Sequence, residues 1–483
     1  MMRRVQTLLL CGLALCVHIL SAQPDYLRGA MPVGTVPPDP AIARAISTIQ
    51  PLQIHQTIQA LAGFGTRNSL SSMITDLPPG QGINAAADWI AAQFDSISKD
   101  CGGCLEVHRD TFVADPASGG AWAGRVPHPT QMTNIYAILR GTDPAQAKRT
   151  VLVTGHYDSR NSNVLDARGP APGANDDASG VAVSLACARA LSRLRFPATI
   201  IFVAVAGEEQ GLVGSAHLAH LAREQGWQLE AVLNNDIVGG NTTPGDILQL
   251  KDRVRVFSEG VPESATPEQV RRILALGAEN DSPSRELARA LADTARTYFP
   301  SSSGKPFSAF LVSRPDRYLR GGDHISFNQE GFAAVRLTEW REDYNHQHQN
   351  VVEPPAGSDA PVLGDLIRFV DFDYVTRVAR LNAAALATLA AAPAPPQNVA
   401  IDTHKLENGT TLNWNTPPDA APGVHYEVLW RETTAPAWQY VRTVHAPQPG
   451  AAVSLTLPIS KDNVIFGIRS VDAVGHRSLV VVP

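Results

Sequence analysis

Apolar residues follow two textures along this 483-residue chain, and the change comes near residue 392. Before it, short apolar runs alternate with stretches whose apolar positions recur three and four apart. The runs are residues 105–113, 132–139, 150–154, 198–206, 230–237 and 333–338. The helical period marks residues 83–97, 180–193, 213–224 and 363–391. A helical period buries one side of an element, whereas a continuous apolar run suits a strand covered on both faces. Their alternation predicts an α/β fold: a mostly parallel central sheet flanked by helices. Residues 239–321 are mostly polar, with one helical piece at 284–298, and read as an excursion from the sheet around a site.

The second texture follows the linker Ala392-Pro-Ala-Pro-Pro396. Residues 398–402, 410–414, 425–431, 438–444, 453–457, 463–471 and 478–482 are short strand-like runs separated by turn residues. That spacing predicts a small all-β sandwich after the α/β part. The expected division is a leader at 1–22, an extended N-terminal segment at 23–44, the main domain at 45–391, the linker at 392–396 and the sandwich at 397–483.

The leader rests on Arg3 and Arg4, the apolar run 8–20 and then Ser21-Ala22-Gln23. A basic start, a short apolar middle and small residues make a secretory signal peptide, and the run is short for a membrane span. A secreted or periplasmic location is therefore expected, with no membrane span in the mature chain. The formal net charge of −6 becomes −8 without the two leader arginines, which gives no reason to expect nucleic acid. In an exported protein, Cys101-Gly-Gly-Cys104 reads as a local disulfide, and Cys187 as a buried thiol in a helix.

The candidate chemistry sits where strands end. Gly155-His156-Tyr157-Asp158 follows one strand, Gly207-Glu208-Glu209 a second, and Asn235-Asp236 closes a third. Open parallel sheets place their sites beyond the carboxyl ends of the strands, so three strands deliver His156, Glu209 and Asp236 to one edge. Asp176, in Asn175-Asp176-Asp177-Ala178-Ser179-Gly180, opens a helix. It can bridge two cations, one per oxygen, although a helix cap or a calcium loop are the other readings. Residues two apart on an extended chain share a side, so Asp158 is expected to hold the second ring nitrogen of His156. Adjacent Glu208 and Glu209 point different ways, which lets one ligate a metal while the other serves as general base. His346 or His348 completes the set, with His348 preferred. His217 and His220 read as helix-surface residues.

Through His-x-Asp, Asn-Asp-Asp-x-Ser-Gly, Glu-Glu, Asn-Asp and the late histidine, residues 65–391 resemble the secreted bacterial di-zinc aminopeptidases. These are co-catalytic zinc exopeptidases related to glutamate carboxypeptidase and glutaminyl cyclase. The resemblance implies two Zn2+ ions and a peptide substrate. His156 and Asp236 would share one ion, Glu209 and the late histidine the other, and Asp176 would bridge both. Glu208 would be the general base toward a zinc-bridging water. Gly322-Asp323-His324-Ile-Ser-Phe327 resembles the family's Asp-His-x-x-Phe, which puts Asp323 and His324 behind the ligands or along the substrate. Many relatives carry a tyrosine where Gln347 stands, so Tyr344 is expected to steady the oxyanion instead. The rivals are a carboxypeptidase using Arg320, Arg336 or Arg341, a one-zinc glutaminyl cyclase, and a non-catalytic scaffold presenting the sandwich. Residues 395–483 resemble a fibronectin type III domain through Trp414 and Tyr426, with Phe466 where a second tyrosine is usual. The partner of this domain is not implied by the resemblance.

Overall fold

The computed structural model describes residues 24–119, 123–304, 306–404, 406–445 and 447–483, so the leader expected at 1–22 lies outside the described residues. The elements of the first part are β1 (Met31–Pro32), α1 (Pro40–Ser47), α2 (Pro51–Ala62), α3 (Ile83–Asp100), β2 (Leu105–Ala114), β3 (Thr130–Leu139), β4 (Arg149–His156), α4 (Ala178–Leu191), β5 (Thr199–Val205), α5 (Val213–Glu224), β6 (Gln228–Asn235), β7 (Arg253–Ser258), α6 (Pro267–Leu276), α7 (Pro283–Tyr298), β8 (Ser308–Val312), α8 (His324–Gln329), β9 (Ala334–Thr338) and α9 (Phe372–Ala391). The later strands are β10 (Gln397–Ile401), β11 (Thr410–Asn415), β12 (His425–Glu432), β13 (Tyr440–His445), β14 (Ala452–Leu457) and β15 (Val464–Val471).

Eight strands form the central sheet in the order β2-β3-β5-β4-β6-β9-β7-β8. The middle four, β5, β4, β6 and β9, are parallel. β3 runs antiparallel to β5, and β7 antiparallel to β9, so the sheet is parallel at its centre and mixed overall. β4 and β5 are buried along their whole lengths, as their unbroken apolar runs require. α4 packs on β4 and α9 on one face, while α5 meets α8 on the other. Burying each Leu, Val or Ile of this kind is worth roughly 1.5–3 kcal/mol, which places the sheet's stability in these layers.

Two boundaries differ from expectation. The polar stretch 239–321 is no excursion, because β7 and β8 inside it extend the sheet and α7 packs beneath them. Arg253-Val254-Arg255-Val256 alternates, with Val254 and Val256 fully buried, and its arginines mask the strand in a polarity count. α9 begins at Phe372 rather than 363, because Asp371 caps it by accepting the Tyr374 N–H at 2.9 Å.

The C-terminal strands form two small antiparallel sheets, β10-β11-β14 and β1-β13-β12-β15. Trp414 meets Tyr426 edge-on at 5.5 Å in their shared core, with Phe466 buried beside them. The strand expected at 478–482 is reduced to isolated bridges, Ile468 with Val481 and Val471 with Arg477. The N-terminal segment is not simply extended: β1 pairs with β13, and α1 starts at Pro40. Cys101 and Cys104 are disulfide-bonded, and Cys187 is a buried free thiol. Among the described residues, no helix is long and apolar enough to cross a membrane.

Candidate metal centre and cleft

β4 ends at His156, whose N–H donates to Asp177 Oδ2 at 3.0 Å. The ring Nδ1 lies 3.1 Å from the carbonyl oxygen of Asp158, and 3.5 Å from its carboxylate. Asp158 therefore holds this nitrogen as expected, with its carbonyl nearer than its carboxylate. The strand stops at His156, so residues 156 and 158 are not alternate positions of one extended chain, and the carbonyl of Asp158 turns in instead. The Asp158 carboxylate accepts the backbone N–H groups of Glu208 at 3.2 Å and Glu209 at 3.1 Å. It therefore orients the Glu-Glu turn as well as His156.

Ring orientation sends His156 Nε2 to within 3.1 Å of Asp176 Oδ1 and 3.9 Å of Asp236 Oδ1. The other oxygen of Asp176 lies 3.0 Å from His348 Nε2, and that nitrogen is 2.9 Å from Glu209 Oε1. Two triads able to hold a metal ion result, His156-Asp176-Asp236 and Asp176-Glu209-His348, with Asp176 common to both. His346 is elsewhere: it stacks on Phe369 with ring centroids 3.6 Å apart, and its Nδ1 is 3.3 Å from Thr243 Oγ1.

The loop carrying Asp176 is held from several sides that the sequence reading missed. Asp365 accepts the N–H of Asn175 at 2.8 Å and of Asp176 at 2.7 Å. Buried Arg67 donates to the carbonyls of Tyr157, Pro172 and Gly173 at 2.6–2.9 Å. The Asp176–Asp177 peptide is cis, and Asp177 caps α4 through the Gly180 N–H at 2.9 Å. Asp236 is paired with fully buried Arg336 at 2.8 Å, and Arg336 also lies 3.4 Å from Asp316. Of these, Asp177 was signalled in sequence by its place next to Asp176, and Arg336 was singled out for another role, the pocket of a carboxypeptidase. Asp365 and Arg67 stand in segments with no motif.

The electrostatics express a crowd of buried carboxylates. Burial pushes the Glu208 carboxyl well above its usual range, and Asp236, Glu209 and Asp323 add to this against His156. Burial likewise raises Glu209, with Asp176 adding and His348 opposing. At Asp176 burial also opposes charge, but His156 and His348 outweigh it and hold the carboxyl well below normal. His348 is raised to about 10, because Glu209 and Asp176 overcome its burial. Divalent cations relieve such crowding. His156 Nε2 and Glu209 Oε1 are buried without a hydrogen bond of their own, and the nitrogen-and-oxygen donor set suits zinc. The residues therefore fit the metal.

Asp176, Glu208, Glu209, Asp236, Gln347 and His348 face an open cleft of about 540 Å³. Asp323 and His324 are fully buried behind it. His324 Nε2 donates to the Pro315 carbonyl at 2.8 Å, and burial pushes Asp323 up to about 7. Tyr344 does not line this cleft: it is 63 % exposed and borders a neighbouring groove, its ring 5.9 Å from the Arg320 guanidinium. Gln347 is the residue present, donating to Asp176 Oδ2 at 3.1 Å. His217 and His220 lie on α5, the first stacked on Phe112 and the second between Glu224 and Glu330.

The sequence profile for Peptidase family M28 matches residues 134–366. A probable zinc metalloprotease of Pyricularia oryzae is 43% identical over 474 residues, covering 96% of this chain and 89% of that protein. Another from Leptosphaeria maculans is 41% identical over 456 residues, covering 94% and 99%. Both are fungal, where the resemblance read from the sequence named bacterial enzymes. The LapA aminopeptidase of Legionella pneumophila is similar in structure at a TM-score of 0.47 and 20% identity, covering 72% of this chain and 74% of that one.

Proposed function

The chain belongs to peptidase family M28 and is a zinc-dependent peptidase, and from that premise we propose a secreted di-zinc exopeptidase that removes residues from the amino end of peptides. The observation that carries the reading is Asp176, common to both groups able to hold a metal ion, with Glu208 next to Glu209 in sequence and facing the cleft. Two sites that share one carboxylate suit a pair of ions, and a scaffold needs no carboxyl at the position of Glu208. Zinc held there supplies Lewis acidity at the scissile carbonyl and makes the attacking water more acidic.

This chain's own residues do the rest. Glu208, which faces the cleft next to Glu209, accepts the proton of the attacking water. It then gives that proton to the leaving amine. Asp158 fixes the backbone of Glu208 and Glu209, and Arg336 keeps Asp236 ionised. The carboxylate oxygens lining the cleft can accept hydrogen bonds from the amino end of a peptide, which supports exo-cleavage from that side. Secretion is supported by the leader sequence and by the Cys101–Cys104 disulfide. The terminal sandwich is read as fibronectin type III-like from its Trp414–Tyr426 core.

A carboxypeptidase is the second reading, because Arg320 lines the cleft; Arg336 is consumed by Asp236, and Arg341 pairs with Asp246 on the exposed surface. The test is Glu208→Gln assayed on aminoacyl-nitroanilides and on amino-blocked peptides, with zinc counted. We expect two zinc ions per chain, release from the amino end only, and a loss of about 10²–10⁴-fold in kcat for the variant. Full activity in Glu208→Gln sinks the mechanism, and cleavage of amino-blocked peptides alone selects the carboxypeptidase.

A further inference from the structure

The cleft is polarised in charge. Its floor carries Asp176, Glu208, Glu209 and Asp236, and its rim carries Arg125, Arg160, Arg317 and Arg320. The four arginines are not equivalent. Arg317 and Arg320 each lie 2.9 Å from the Glu342 carboxylate, and Arg317 also lies 3.0 Å from Asp316. Arg125 instead donates to the Glu209 carbonyl at 3.2 Å, and Arg160 to the carbonyls of Asn161 and Ser162 at 3.0 and 3.1 Å. Among the described residues, neither Arg125 nor Arg160 is paired with a carboxylate.

A carbonyl orients a guanidinium without cancelling its charge. A guanidinium has five N–H donors, and these contacts leave most of them free at both residues. Two zinc ions would balance the four acids of the floor, so the charge left over in the cleft is that of the unpaired rim. Planar forks of this kind recognise carboxylates by paired hydrogen bonds, which lysines do not.

We propose that Arg125 and Arg160 form a carboxylate subsite beside the scissile bond, so that the preferred substrates are short anionic peptides. The proposal rests on the aminopeptidase reading and names its substrate class. The amino end lies over the carboxylate oxygens of the floor, which accept its hydrogen bonds, and the substrate carboxylate meets the arginine rim. That carboxylate comes either from an acidic side chain in the second residue or from the free terminus of a dipeptide.

The test uses the zinc-loaded full chain with Leu-Glu-amide, Leu-Gln-amide, Leu-Gln with a free carboxyl, and Leu-Lys-amide. We expect kcat/KM for at least one anionic peptide to exceed that for Leu-Gln-amide about tenfold, mainly through KM, with Leu-Lys-amide poorest. Leu-Glu-amide against the free dipeptide tells which source of carboxylate is read. In Arg125→Gln/Arg160→Gln the anionic-to-neutral ratio falls to about one, as it does in high salt for the unsubstituted enzyme. A ratio near one in the unsubstituted enzyme, or an unchanged ratio in the double variant, overturns the subsite. If no peptide is cleaved, the aminopeptidase reading fails by itself. Calorimetric binding of the same peptides then decides the subsite: tighter anionic binding lost in the double variant supports it, and equal binding overturns it.

Discussion

His348 sits at φ +54°, a conformation that turns its ring back over the cleft, whereas His346, two residues earlier, lies flat on Phe369. A left-handed residue in an irregular turn has no periodic signature, so the sequence narrowed the late ligand to two histidines and geometry separates them. The strand-end candidates His156, Glu209 and Asp236 were readable because strand ends are marked by where apolar runs stop. The groups behind them were not, since Asp365 is 189 residues from the Asp176 amide it accepts. His348→Gln should therefore lower the zinc content and remove nearly all turnover, while His346→Gln keeps the zinc content unchanged; metal analysis after dialysis reads the difference. Asp158→Asn should lower kcat by roughly 10–100-fold with zinc still bound, since its neutral amide orients the Glu208 and Glu209 amides less well. A variant that loses its zinc at this position would instead make Asp158 a determinant of metal affinity through His156.

At the scale of elements, the site depends on how closely α4 approaches β4 and β6. A side chain at Gly155 would stand 2.5 Å from the carbonyl carbon of Gly180, and one at Gly180 would stand 2.1 Å from the Asn235 carbonyl oxygen. These absent side chains let the start of α4 reach the strand ends, and that start carries Asp176 and Asp177. The helix and its apolar period were plain in sequence, but the reason for its glycine was a contact with a strand some fifty residues on. The same limit hid β7, whose arginines look polar even though Val254 and Val256 point into the core. Gly180→Ala should cost about 1–3 kcal/mol in stability from overpacking. It should also weaken zinc binding, because the helix start must move. Thermal unfolding with and without chelator separates the two: a variant that loses stability but titrates zinc normally would show that α4 can shift without carrying Asp176 along.

For the whole molecule, the sandwich is tied to the α/β body by buried polar contacts. Trp438 Nε1 donates to Glu286 at 2.8 Å, Arg289 Nε donates to the Pro436 carbonyl at 2.9 Å, and Arg431 pairs with Asp281. The N-terminal segment crosses the same junction, pairing β1 with β13 and then entering α1. The change from the α/β sheet to the small antiparallel sheets was legible from the break in texture at the linker, but this lacing was not, because its partners are far apart in sequence. His476 is the titratable link: its Nδ1 lies 2.7 Å from Asp472 within the sandwich, and its Nε2 lies 3.2 Å from Asp39, the cap of α1. Burial disfavours its charge, but Asp472 and Asp39 outweigh burial and raise its pKa. Asp472 is held below its ordinary value, with burial opposing and His476 prevailing. A raised histidine contributes fully below its unfolded value of about 6.5 and loses that contribution as pH rises through the higher folded value. A depressed aspartate contributes above about 3.9 and loses it as pH falls through the lower folded value. The link is therefore strongest between about pH 4 and 6.5. His476→Gln should lower stability by on the order of 1 kcal/mol at pH 5.5 and by much less at pH 9.5. Thermal unfolding at the two pH values reads this directly, and equal losses at both would mean that His476 joins the domains by packing rather than by charge.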